Sequence, residues 1–174
     1  LPDLGMNGGR FTVRLNPKSS PEENGSEEVE FLVALNVGHD ARPLARVASG
    51  GELSRVMLAL KTILARADAV PTLVFDEVDA GIGGKVGLQV GDTLRRVAEH
   101  HQVFAISHLP QIAARAHNHI VVAKAAKGGV TTADVTVLEG PTRVVEIARM
   151  LGGDPESKVS RDHARELLES AASA

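Results

Sequence analysis

The sequence predicts an α/β fold, a mostly parallel sheet with flanking helices, preceded by an antiparallel strand pair. Three observations predict it. Between residues 49 and 116 helical and strand patterns alternate, which implies parallel strands joined by right-handed crossovers. Residues 10–37 carry two strand patterns with no helix between them, which implies an antiparallel pair. The 174 residues are 43% hydrophobic and 24% charged, a globular mix long enough to bury a core or to form one lobe of something larger.

Along the chain, "RFTVRL" (10–15) alternates Phe11, Val13 and Leu15 with polar residues, the period of a half-buried strand. "NPKSSPEENGSEE" (16–28) is rich in turn-forming and charged residues and is expected to be an exposed loop. "VEFLVALNV" (29–37) is a second strand. In "SGGELSRVMLALKTILARA" (49–67), Leu53, Val56, Met57, Leu60, Ile63 and Leu64 are expected to form one buried helical face. A strand at 72–76, a helix at 85–99, a strand at 102–107 and a short helix at 110–116 follow. Strands at 119–124 and 130–138 flank the turn signal "AAKGG". A helix at 141–151 opens with Pro141 and stops at Gly152–Gly153, and a last helix covers 160–172. Two regions are drawn: 1–43, the strand pair and its loop, and 44–174, the lobe proper.

Composition narrows the function classes. Net charge is −3, so no global basic footprint marks a nucleic-acid binder. Four Phe and no Trp or Tyr argue against base-stacking platforms. No apolar run approaches the roughly 18 residues of a membrane helix, so no membrane partner is expected. Cys is absent, which excludes disulfides and fits a reducing cytoplasm.

Three stretches carry chemistry. In "ASGGELSR" (48–55), Ser49 and Glu52 have capping-box spacing with two glycines between them. A plain helix cap explains the serine and the glutamate. Glycine adds nothing to a cap, but it lets an anion approach the unpaired N–H groups of a helix N-terminus. In "TLVFDEVDAGIGG" (72–84), Asp76 and Glu77 follow a hydrophobic strand, at the edge where α/β sheets gather ligands. They are either solvated acids of a turn or a pair with two roles, one toward a metal and one toward a reacting water. Mg²⁺, which favours carboxylate and phosphate oxygens, is the expected cation. In "VFAISHLPQIAARA" (103–116), Ser107 and His108 end another apolar strand, where His108 can contact a phosphate or hold a water.

Other candidates are weaker. A dipole interaction at a helix end accounts for His100–His101. His117 and His119 could share a strand face and a metal, but no third ligand is evident. Arg42, Arg46 and Arg55 flank the glycine pair and either touch phosphate or stay solvated. The chain contains no G-x-x-x-x-G-K-[ST], so it has no nucleotide-cradling loop of its own, and a partner segment is expected to supply one.

In this order, "SGGE", "LVFDE" and "ISH" resemble the signature motif, Walker B motif and switch histidine of ABC-type ATPases. Within that superfamily, "VASGGELSRVMLALKTIL", "FDEVDAGIGGKVG" and "ISHLPQIAARA" resemble the RecN family of bacterial DNA repair proteins, relatives of the SMC proteins. The likeness is strong over about 44–124 and extends to 172. It implies the C-terminal lobe of an ABC-type ATPase head, with ATP and Mg²⁺ as cofactors. By that resemblance Asp76 holds Mg²⁺ through water, Glu77 polarises the attacking water and His108 contacts the γ-phosphate. Ser49, Gly50, Gly51 and Glu52, with Asp79, are the nucleotide-binding residues, the signature closing on ATP held by the opposite subunit.

The implied partners are the N-terminal Walker A lobe of the same protein, a second copy across an ATP sandwich, and DNA, double-stranded and at ends. A cytoplasmic, nucleoid-associated protein is implied. "LPDLGM" would be the chain returning from a coiled coil. One departure is Gly83, which stands where many ABC proteins close the loop after Walker B with Asp. A non-catalytic dimerisation or nucleotide-sensing module with the same surface is the alternative function, and a transporter-associated subunit fits the residues around the motifs poorly.

Overall fold

The computed structural model describes residues 1–172 apart from 48, 66, 68, 128 and 129. They form two compact units, Leu1–Ile106 and Ser107–Ala174.

In the first unit, β1 (Arg10–Glu22) and β2 (Gly25–Ala34) make an antiparallel hairpin, with the short β3 (Arg42–Pro43) on the other side of β2. The expected loop at 16–28 is therefore mostly strand. Its composition misled because β1 is an edge strand, where a proline interrupts no ladder to a further neighbour. Pro17 pairs with Glu27, the register slips between Pro17 and Glu22, and Gly25 at φ +116° closes the turn. Along one face Phe11 stacks on Phe31 with ring centroids 5.7 Å apart, and Val13 and Leu15 lie opposite Phe31 and Val29.

The βαβ unit follows α1 (Gly50–Leu64). It consists of β4 (Thr72–Phe75), α2 (Gly84–Val97) and β5 (Gln102–Ala105), with β4 and β5 parallel from Thr72 opposite Gln102 to Phe75 opposite Ala105. On α2, Val90, Leu94 and Val97 recur at helical spacing and are buried. The buried stripe of α1 differs from the expected one. Gly51, Arg55, Val56 and Leu58 face inward, whereas Ile63 is 79% exposed. His101 is also more than a dipole partner: buried after α2, its Nδ1–H donates to the Val70 carbonyl at 2.7 Å, just ahead of β4.

In the second unit, α3 (Pro110–Arg115) precedes the antiparallel pair β6 (His119–Lys127) and β7 (Val130–Leu138), then α4 (Gly140–Met150) and α5 (Lys158–Ala172). Two residues of the "AAKGG" turn, 128 and 129, lie outside the described residues. Ala114, Ile147, Ala148 and Ala164 form the core, and the three small alanines let the helices close around Ile147.

A six-residue helix such as α3 cannot hold itself, and Arg143 on α4 supplies what it lacks. The Arg143 guanidinium donates to the carbonyls of Ala113 at 3.0 Å, Ala114 at 3.2 Å and Ala116 at 2.6 Å at the helix C-terminus, where the Ala113 carbonyl also accepts from the Ala116 N–H. His117 is exposed and His119 buried, and no group of three or more potential metal ligands occurs among the described residues, so that expected pair gains no further ligand.

Two consequences are measurable. Replacing Arg143 by Ala strands several carbonyls and should cost about 2–4 kcal/mol in chemical denaturation. Burial, then the Arg143 charge, lowers the pKa of His119 from its ordinary 6.5, with Glu146 opposing. The native state therefore binds fewer protons than the unfolded chain. Full stability holds above about pH 6.5 and falls as pH drops from there toward the depressed native value. His119→Gln should flatten the melting-temperature profile in that window, and an unchanged slope would contradict the assignment.

Candidate functional site

The turn after β4 puts acids on two levels. Asp76 and Glu77 are exposed, while Val78 and Asp79 are buried, Asp79 to 3% exposure. β4 itself stops at Phe75, one residue earlier than expected. Asp76 Oδ1 accepts from the Glu77 N–H at 2.9 Å, which caps the strand end and leaves its second oxygen for other partners. Glu77 has φ +53°, the one non-glycine residue at positive φ among those described. A glutamate gains no intrinsic benefit there, so the conformation costs on the order of 1 kcal/mol and must be held from outside.

α1 holds it. Ser49 caps the helix, its Oγ accepting from the Glu52 N–H at 3.4 Å, a long bond. Ala48, the first residue of the expected stretch, lies outside the described residues. Gly51 lets the helix backbone lie on the turn: a Cβ there would stand 2.6 Å from Ala80 Cβ and 2.7 Å from the Glu77 carbonyl oxygen. At Gly50 a Cβ would meet Glu77 Oε2 at 2.9 Å, so the carboxylate lies beside the helix N-terminus, where the dipole favours an anion.

One turn further on, Ser54 Oγ donates to the Asp76 carbonyl at 2.7 Å. Arg55 Nη1 donates to the carbonyls of Val78 at 3.3 Å and Ala80 at 2.8 Å. Arg55 is 4% exposed, not solvated as one sequence reading had it. Burial lowers its pKa, and the charges of Glu52 and Asp79 act against that.

Ser49, Gly50, Gly51, Glu52, Asp76, Glu77 and Asp79 thus converge within the first unit. β5 lies beside β4 as the histidine reading required. His108 itself belongs to the second unit and is exposed, in the segment leading into α3, where the Leu109 N–H donates to Ser107 Oγ at 3.1 Å. Ser54 is the site residue that sequence reasoning missed, and Arg55, read as touching phosphate or staying solvated, instead holds the turn. The signal for Arg55 was its spacing: it falls four residues after Gly51 and three before Leu58, on the stripe that packs.

The donor set suits Mg²⁺ bound with a phosphate-bearing ligand. Exposed carboxylate oxygens end the strand, and an ion of this type takes one or two carboxylates and completes its shell from phosphates and water. An all-protein cage is not needed for that.

The two glycines make separable expectations. Gly51→Ala forces backbone and Ala80 apart and should cost about 1–3 kcal/mol, read from the urea midpoint. Gly50→Ala meets only the mobile end of Glu77 and should change stability by less than about 1 kcal/mol. Equal effects would contradict the packing.

No family profile matches the chain. Among curated proteins it is 47% identical over 169 residues to the DNA repair protein RecN of Xylella fastidiosa (strain Temecula1 / ATCC 700964), covering 96% of this chain and 30% of that one. It is 51% identical over 164 residues to that of Streptomyces coelicolor, covering 94% and 27%. Among solved structures, the Smc head domain with coiled coil and joint from Pyrococcus yayanosii aligns with TM-score 0.60 at 24% identity, over 84% of this chain and 26% of that one. An Smc head from Pyrococcus furiosus, bound to the C-terminal domain of ScpA, gives 0.55 at 24%, over 84% and 35%. These share the fold. The chain spans about 30% of the length of the first of these relatives, and over that span it belongs to the RecN family.

Proposed function

We propose that this chain is the C-terminal lobe of an SMC-like DNA repair ATPase head, hydrolysing ATP to ADP and phosphate only with a second lobe that supplies the nucleotide cradle. The observation that carries the reading is the pair of exposed carboxylates, Asp76 and Glu77, held at the carboxyl end of parallel strand β4 against a glycine-lined helix N-terminus. Bound Mg²⁺ would neutralise phosphate charge as it develops. Asp76 would hold the ion through water. Glu77 would orient and deprotonate the attacking water, and His108 would contact the γ-phosphate. Ser49, Gly50 and Gly51 would offer helix N–H groups to the γ-phosphate of ATP on a second copy, so that two heads sandwich two nucleotides. Positioning and electrostatics carry such a transfer.

The need for a second lobe draws support from surfaces left uncovered. Parallel sheets are ordinarily covered on both faces. Here Val74 is 65% exposed, Phe104 45% and Ile106 59%, all on the β4–β5 pair or its end. A groove of about 310 Å³ between α1 and β4, lined by Leu53, Met57, Leu73 and Phe75 among others, offers room for an added strand. DNA, double-stranded and at ends, is the proposed partner of the complete protein, in keeping with the relatives' name. Asp79 and Glu52 belong to the nucleotide site as supports, through the charge they set beside Arg55. The alternative is a nucleotide-sensing module that keeps the surface without turnover.

Glu77→Gln in the complete protein should lower kcat by ~10²-fold or more, the scale of a lost general base, and should trap ATP-bound dimers. An unchanged rate would favour the sensing module. Ser49→Arg should block ATP-driven dimerisation in gel filtration while nucleotide binding persists. Normal dimerisation would rule out the trans assignment.

A further inference from the structure

We infer that Ser54 and Arg55 are positioning residues for Glu77: between them they fix the carbonyls on either side of it and so set where its carboxylate stands. The inference rests on the proposed role of Glu77 and extends it to two residues of α1 that bond the backbone of its turn.

The pattern of bonds carries it. The three pinned carbonyls belong to Asp76, Val78 and Ala80, alternate residues of one turn, and all three accept from two consecutive residues of α1. Glu77 therefore sits between the peptide that Ser54 holds and the Val78 and Ala80 carbonyls that Arg55 holds, its own carbonyl accepting from the Ala80 N–H at 3.0 Å, at a φ of +53° that an unconstrained glutamate would leave. Gly51 closes the same contact from the preceding turn of the helix, its Cα against the Glu77 carbonyl. With the peptide planes fixed, the remaining freedom of Glu77 lies in its own side-chain torsions.

The chemistry also selects arginine. One Nη1 serves two carbonyls that do not lie on the same peptide, and the planar guanidinium fixes the directions of its two N–H bonds, which a freely rotating ammonium does not. Its buried Nε has no hydrogen-bond partner among the described residues. The buried charge of Asp79, in the same turn, attracts it. A lysine can restore that charge but not the fixed direction of the two bonds. The first turns of α1 and the turn 76–80 are thus tied together by three hydrogen bonds and the Gly51 contact.

The test is steady-state ATP hydrolysis by the complete protein, with Ser54→Ala, Arg55→Lys, Arg55→Met and Glu77→Gln, alongside ATP affinity and thermal melting. If the turn is held for catalysis, Arg55→Met loses ~10²-fold and Ser54→Ala about tenfold in kcat, the scale of a displaced reacting group, at unchanged ATP affinity. Arg55→Lys recovers part of the loss. Should Arg55→Met fail to fold, Ser54→Ala and Arg55→Lys decide alone. Wild-type kcat in folded Ser54→Ala and Arg55→Lys, with only the melting temperature lowered, overturns the inference and makes both residues structural. A raised KM at wild-type kcat overturns it as well. Wild-type hydrolysis by Glu77→Gln overturns the proposed function itself, which separates that failure from this one.

Discussion

A guanidinium buried under an acidic turn is the contact on which the first unit depends. Arg55 gives up its hydration to bond the carbonyls of Val78 and Ala80, and the charges of Asp79 and Glu52 nearby act against the cost of that burial. In return the turn acquires an inside and an outside. Val78 and Asp79 turn in, and Asp76 and Glu77 remain exposed at the strand end. Carboxylates beyond a hydrophobic strand need a cation, and here the protein provides one for the inner acid. The outer pair is left to exogenous partners.

Arginine plays a parallel part in the second unit. Arg143 gathers the carbonyls at the end of α3, a helix of six residues that has little cooperative stability of its own. In both units one side chain from a longer helix satisfies backbone acceptors at the end of a short element. That economy suits a chain whose cores are small and whose sheet faces stay open: Ile120, Val122, Val135 and Val137 on the β6–β7 pair are about half exposed or more. Such surfaces are consistent with a lobe that completes its packing against further chain.

Element types were legible because local signals agreed. Pro141 opened a helix near where α4 begins, and the alternation over 10–15 marked the start of β1. The hairpin beyond residue 16 was not, because pairing on an edge strand is set by backbone bonds that polar side chains neither require nor forbid. The α1 face was misplaced for a related reason. Hydrophobicity ranked Ile63 and Leu64 as core, but burial went to Gly51 and Arg55, selected by close approach and by carbonyl bonding. Around the site, the residues that would touch ligand stood out as motifs. Those that hold them in place resembled ordinary helix surface, with only the spacing of Arg55 from Gly51 and Leu58 to mark it as packed.

The measurement that bears most directly on the split site is steady-state ATP hydrolysis by this chain alone and by this chain combined with the remainder of its protein, each with and without linear double-stranded DNA. Hydrolysis only in the combination, rising with DNA, is the expected result. Turnover by the chain alone would contradict it, because the sequence holds no phosphate-cradling loop to support that activity.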